Sequence, residues 1–182
     1  MQRHGLFFAV MKQETSFLLT LHATFMPHIN NLLMKKNKLA IALLDDDHEE
    51  HLLFKEVADD FSEIKSVLSF ARGKEMLDYL RGEDKSILPD ILFLDLNMPL
   101  LSGLDCLIEI RKNEKYKNLP VVIYSTSSSE KDKEATYQNG ANLYVNKPVE
   151  FSDMRKIFNE VLKINWKEHS GAFNFQKFFL AI

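Results

Sequence analysis

Ile91-Leu92-Phe93-Leu94-Asp95-Leu96-Asn97-Met98-Pro99 is the stretch that decides how this chain reads. Four apolar residues in a row, with no polar alternation, describe a strand covered on both faces. An acid follows at once. Burying a carboxylate is costly unless it is paired, so Asp95 at the end of such a strand asks for partners. Pro99 and Gly103 mark the turn beyond it, and Leu104, Leu107 and Ile108 line the helix that comes next.

The same unit repeats in both directions. Upstream, Leu39–Leu44 is continuously apolar, and His48–Phe61 carries Leu53, Phe54, Val57, Ala58 and Phe61 at helical spacing. Ser66–Phe70 reads as a short second strand, followed by a helix over Lys74–Arg81 with Gly82 at its end. Downstream, Pro120–Tyr124 opens a fourth strand behind a proline that suits only an edge or a first position. Glu130–Gln138 is a polar helix closed by Asn139-Gly140, Leu143–Val145 is a fifth strand, and Met154, Ile157, Phe158, Val161 and Leu162 stripe a last helix. Strand–helix repeats of this kind predict an α/β fold: a doubly wound parallel sheet with helices on both faces.

Sheets of this class gather ligands beyond the carboxyl ends of their strands. Polar residues collect at those ends here. Strand one runs into Asp45-Asp46-Asp47, strand three into Asp95, strand four into Ser125-Thr126, and strand five leads to Lys147. On neighbouring strand ends Asp45, Asp46 and Asp95 would stand about 4–6 Å apart, each pair repelling by roughly 1–4 kcal/mol. A hard divalent cation removes that conflict, and Mg²⁺ suits an oxygen shell completed by water and phosphate. Asp95 could then attack a phosphoryl group, with catalysis resting on positioning and charge. Ser125 could donate to a phosphoryl oxygen, and Lys147 could pair with Asp95 or its phosphate.

Each residue also has a plainer role. Asp47, Glu49 and Glu50 suit the amino end of a helix, where the dipole favours acids. Ser125-Thr126-Ser127-Ser128-Ser129 reads alone as a polar loop with a helix cap, and Lys147 alone as a solvated charge. Tyr144 is by default a half-buried aromatic, and Cys106 is packing.

Composition narrows the classes. Hydrophobic residues at 46% and charged residues at 27% describe a globular chain. A net charge of −3 supplies no basic field for nucleic acid or an anionic membrane. A single cysteine forms neither an internal disulfide nor a cysteine zinc site, which fits a reducing cytoplasm. In residues 1–33 the apolar runs Leu6–Met11 and Phe17–Leu21 are too short to span a bilayer, which takes about 20 residues.

Taken together, Leu43-Leu44-Asp45-Asp46-Asp47, Phe93-Leu94-Asp95-Leu96-Asn97-Met98-Pro99, Ser125-Thr126 and Tyr144-Val145-Asn146-Lys147-Pro148 resemble the receiver domain of bacterial two-component response regulators. The resemblance covers about residues 38–165. Asp95 precedes Ser125 by 30 residues and Lys147 by 52, intervals similar to those of chemotaxis-type receivers. The length of Gly82–Pro89 and the Ser/Thr-rich loop resemble free-standing receivers paired with bacterial phytochromes.

The resemblance implies a flavodoxin-like strand order 2-1-3-4-5 in a five-stranded sheet. It implies Asp95 as phosphoacceptor, Asp45 and Asp46 as the acids that bind Mg²⁺ with it, and Asn97 as a backbone-carbonyl ligand. It implies Ser125 as the switch hydroxyl, Tyr144 as the aromatic switch residue that turns inward, and Lys147 as the phosphate-binding lysine before a cis Pro148. A sensor histidine kinase or histidine phosphotransfer protein would donate the phosphoryl group. A downstream protein would receive the signal through the face of helix four, strand five and helix five, which also allows homodimerisation. The implied protein is a cytoplasmic switch rather than a turnover enzyme, with no nucleic-acid or membrane partner. Residues 1–37 are expected as an extension outside the domain. Residues 166–182 are expected as a tail without an output domain, with Trp166 and Phe173–Leu180 extending or packing on the last helix. The rivals are a flavodoxin-like carrier, whose phosphate the acids of strand one would repel; an aspartyl-phosphate phosphatase, which lacks an acid at Asn97; and a scaffold independent of phosphorylation.

Overall fold

The apolar strands do what their composition requires and pair side by side, all parallel, with their side chains buried above and below. In the computed structural model, which describes residues 38–82, 88–166 and 175–180, the elements run in strict alternation. They are β1 (Leu39–Leu44), α1 (His48–Asp59), β2 (Ile64–Phe70), α2 (Gly73–Arg81), β3 (Ile91–Leu94), α3 (Gly103–Lys112), β4 (Val121–Ser125), α4 (Glu130–Gln138), β5 (Leu143–Asn146) and α5 (Phe151–Lys163). A 3₁₀ turn (Phe175–Lys177) and β6 (Phe179–Leu180) follow. The expectation of an extension over 1–37 falls outside the described residues, as does most of the stretch between Gly82 and Pro89.

The sheet order is β2-β1-β3-β4-β5-β6. The expected order of five strands is there, with a sixth strand added at the β5 edge. β3 and β4 are buried along their whole length, while β2, at the other edge, is only partly covered. Pro120 sits just ahead of β4, where its carbonyl accepts from Leu92 N–H at 2.9 Å. A proline there removes no donor that the sheet needs.

Two apolar layers sandwich the sheet. On one face α1 and α5 contribute Phe54, Val57, Ala58, Met154, Ile157, Phe158 and Val161. Phe54 is the keystone of that layer, its ring centroid 4.9 Å from Phe93 and 4.8 Å from Phe158. On the other face α2 and α3 contribute Met76, Leu77, Leu80, Cys106, Leu107 and Ile110. α4 is the exception, since Thr136 is its only buried residue.

Two glycines have physical reasons. A Cβ on Gly103 would collide with the Asp95 carbonyl oxygen, so α3 can begin this close to β3 only without one. Gly140 has φ +84°, the left-handed turn that ends α4. Its carbonyl accepts from Arg111 Nε at 2.8 Å. The same guanidinium donates to Leu119 O and Asn142 Oδ1, each at 2.9 Å, and so ties α3 to the amino ends of β4 and β5.

The carboxyl-terminal stretch departs from expectation. Phe175–Leu180 does not extend α5. Its β6 pairs in parallel with β5, Tyr144 opposite Phe179 and Val145 opposite Leu180. An apolar run rich in Phe gains more by covering an open strand edge than by lying on a finished helix. Trp166 does fold back on α5, its indole N–H donating to Val161 O at 3.1 Å.

Candidate functional site

The carboxyl rim of the sheet collects the polar residues that follow the strands. Asp45 directly follows β1 and is 1% exposed; Asp95 directly follows β3 and is 5% exposed. Register sets their nearness, since Leu44 and Leu94 are paired across the two strands and Asp95 N–H donates to Leu44 O at 2.9 Å. Asp46 is exposed beside them. One carboxylate oxygen from each of Asp45, Asp46 and Asp95 lies within 4.8 Å of the others.

Lys147, beyond β5, reaches across β4 to this pair. Its ammonium donates to Asp45 Oδ2 at 2.6 Å and lies 3.6 Å from Asp95 Oδ2. Its backbone N–H donates to Ser125 O at 2.9 Å, which fixes where its side chain starts. The aromatic face of Tyr124 lies 5.7 Å from the ammonium. Burial pushes the Asp45 carboxyl up, and the hydrogen bond from Lys147 pulls it partly back. Burial works to lower Lys147, but the hydrogen bond and charge of Asp45 outweigh it, so the ammonium is held charged.

The remaining capacity of the acids is also engaged. Asp45 Oδ1 accepts Asp47 N–H at 3.0 Å, and Asp95 Oδ1 accepts Leu96 N–H at 2.8 Å. Asp47 caps α1, accepting Glu49 N–H at 2.8 Å. Its helix-start reading therefore holds.

The loop after β4 links the rim to the outer face. Ser125 is fully buried at the strand end, and Ser127 N–H reaches its Oγ at 3.4 Å. Ser127 Oγ donates to Asp132 of α4 at 2.6 Å, and Ser127 O accepts from the Tyr144 hydroxyl at 2.8 Å. Tyr144 is 1% exposed, not half-buried, because Phe178 and Phe179 of the carboxyl-terminal segment pack at 6.1 and 6.0 Å from its ring. The Lys147–Pro148 peptide is trans, against the expected cis form. Trans is the ordinary state, favoured by about 0.5–1 kcal/mol even before proline.

Three residues take part in ways the sequence reading did not assign. His51 Nε2 lies 2.8 Å from Asp45 O; a carbonyl only accepts, so this nitrogen carries the proton. Glu50, read there as a helix-start acid, accepts the Tyr124 hydroxyl at 2.8 Å, and burial raises both its carboxyl and that phenol. Ser127 joins loop, α4 and β5 at once. His51 and Glu50 sit one turn into α1, where spacing alone gives no sign that they face β4 and the rim.

Three carboxylates around one ammonium leave the rim short of positive charge, and every donor is hard oxygen. That set fits Mg²⁺, which takes carboxylates and keeps waters.

Residues 41–159 match the family model described as the response regulator receiver domain. The chain belongs to that family. Among its relatives, the probable methanogenesis regulatory protein FilR2 of Methanothrix harundinacea is 29% identical over 146 residues, 78% of this chain and 94% of its own. The crystal structure of the phosphorylated cyanobacterial phytochrome response regulator RcpA superposes with a TM-score of 0.62 at 31% identity, covering 68% of this chain and 90% of that one. The Mn²⁺-bound form of response regulator Rcp1 gives a TM-score of 0.61 at 29% identity, covering 72% and 96%. The likeness to phytochrome-associated receivers thus stands. Among the described residues of this receiver, no helix is long and apolar enough to cross a membrane.

Proposed function

We propose that this receiver accepts a phosphoryl group on Asp95 from a phosphohistidine of a sensor kinase or phosphotransfer protein. The observation that carries the reading is the meeting of Asp45, Asp46 and Asp95 within 4.8 Å, with Lys147 bridging two of them. An Asp95 oxygen attacks phosphorus as the phosphorus–nitrogen bond breaks. The imidazole leaves with the electron pair and takes up a proton, and the product is an acyl phosphate.

Asp45, Asp46, Asp95 and the Asn97 carbonyl would hold Mg²⁺. When bound, the ion supplies charge screening between the acids and the incoming phosphate. Lys147 is the nearby cation able to turn from Asp45 towards a phosphoryl oxygen. Ser125, buried at the end of β4, offers a hydroxyl, and movement of its loop is passed through Ser127 to α4 and Tyr144. Tyr144 already lies inward here, so the change reaching α4 is a tightening of the Ser127 links rather than a swing of the ring from solvent. Adding roughly −1.5 to −2 charge at the rim need shift only a few kcal/mol between existing states. α4, with little burial of its own, is the element suited to move.

The protein in this reading is a cytoplasmic switch rather than a turnover enzyme. Residues 38–165 form the receiver in this reading. A downstream protein reads the α4–β5–α5 face, and neither nucleic acid nor membrane takes part. The test is incubation with acetyl phosphate or phosphoramidate and Mg²⁺, followed by intact mass. One phosphoryl addition that disappears in Asp95→Asn is expected. An unmodified protein, or modification that survives the substitution, turns the reading to a scaffold that binds without phosphorylation.

A further inference from the structure

Lys147 begins beyond β5 and ends at Asp45 beyond β1, with β4 and β3 lying between them in the sheet. Fixing so long a side chain costs rotamer freedom, yet only 12% of it is exposed. Along its path lies Tyr124, the residue before Ser125 at the end of β4. The ammonium stands 5.7 Å from the centre of the Tyr124 ring, inside the ~6 Å over which a ring face attracts a cation. That ring is fully buried, with Phe54 and Phe93 set edge-on to it at 6.1 and 6.2 Å. Its hydroxyl donates to Glu50 Oε1 of α1 at 2.8 Å.

The polar pair is not needed to fill the layer. Phe54, Phe93 and Phe158 already pack there, and a phenylalanine at 124 would join them with no hydroxyl to satisfy and no carboxylate to bury. Burial raises the Glu50 carboxyl, a cost that an apolar contact avoids, and the charge of Lys147 offsets part of it. What the pair supplies is a fixed ring. With its hydroxyl tied to α1 and its body packed against two phenyl rings, Tyr124 presents one face to the lysine. Attraction to a ring face has no single hydrogen-bond direction, so an ammonium can slide from Asp45 towards Asp95 without leaving it.

We propose that Tyr124 and Glu50 are positioning residues for phosphoryl acceptance: Glu50 anchors the phenol, and the ring so held seats Lys147 between Asp45 and Asp95. Both act through the lysine rather than on the reacting atoms. The kinetic consequence rests on Asp95 as phosphoacceptor; the resting contact between ammonium and ring stands without it.

The experiment uses the full-length chain with Tyr124→Phe, Tyr124→Leu and Glu50→Gln, each alone and combined with Lys147→Met. Mass addition from phosphoramidate is followed across a Mg²⁺ series. Tyr124→Leu loses the ring and is expected to take up phosphate ~10-fold more slowly. Tyr124→Phe keeps the ring without its anchor and should slow ~3-fold, while Glu50→Gln, whose amide oxygen still accepts the phenol, should slow by about 2-fold at most. The half-saturating Mg²⁺ should be the same in all. On Lys147→Met the same changes should add about 2-fold at most, since residues acting through one another are not additive. A loss of packing would instead slow both backgrounds alike. Without donor or metal, the Lys147 ε-methylene protons, assigned in ¹³C-lysine spectra by their absence in Lys147→Met, should lie upfield of those of exposed lysines. That displacement should persist in Tyr124→Phe and vanish in Tyr124→Leu. The proposal is overturned by an unshifted Lys147 resonance in the parent, by Tyr124→Leu reacting at the parental rate, or by equal slowing in both backgrounds. A parent that takes up no phosphoryl group refutes the Asp95 reading instead, and the lysine resonance then decides the seat.

Discussion

Lys147 pairs with Asp45 more closely than with Asp95, at 2.6 against 3.6 Å, although Asp95 is the proposed acceptor. The resting lysine thus neutralises a buried acid and leaves the acceptor oxygen the more weakly engaged of the two. Replacing it by Met strands two buried carboxylates. Removal of one partner of a buried pair costs about 3–5 kcal/mol, so Lys147→Met should lose about 3 kcal/mol in urea unfolding. Added Mg²⁺ should restore part of that loss; a stability equal to the parent without metal would contradict the pairing.

Gly103→Ala brings a methyl against the Asp95 carbonyl. Backbone on both sides must shift, and overpacking of this kind costs about 1–3 kcal/mol. The variant should fold with lowered melting temperature and should accept phosphate more slowly than Ser102→Ala, which loses only the α3 cap.

Leu100 has φ +70° and a fully solvated side chain. A non-glycine residue in the left-handed region costs about 1–2 kcal/mol, and here no packing repays it. Leu100→Gly should leave stability unchanged or raise it by up to about 1 kcal/mol in chemical denaturation. A clear loss would mean that the side chain is held in a way the structure does not show.

Cys106 is fully buried, and burial pushes its thiol up to about 11 from 9.0. Between these values the unfolded chain gives up the proton first. Stability from this group is therefore complete below pH 9 and falls as pH rises towards 11, by on the order of 2 kcal/mol at most. The difference in unfolding free energy between the parent and Cys106→Ala should narrow across that window. Iodoacetamide at neutral pH should label the parent only under denaturing conditions.

The rim was legible because strand ends and acids coincide in the chain itself. Runs such as Ile91–Leu94 admit little but a doubly covered strand, and the polar residue after each run lands on one edge by topology alone. What stayed hidden depends on direction rather than order. That Glu50 and His51 turn towards the rim rather than solvent is set by how α1 rotates on Phe54, which no local pattern records. The trans Pro148 and the inward Tyr144 belong to the same group. β6 is a different case: its Phe-rich run is plain in the sequence, but an apolar run says that something will be covered, not what.

Arg111 gives α4 a fixed heel. By grasping the carbonyl of Gly140 while holding β4 and β5 through Leu119 and Asn142, it pins the far end of that helix to the sheet. Under the proposed switch, displacement of α4 would be a swing about Gly140, small there and largest at Glu130, beside the serine loop. In the proposed switch a small shift at the rim, reaching α4 through the Ser127–Asp132 bond, would grow along one lever in one direction.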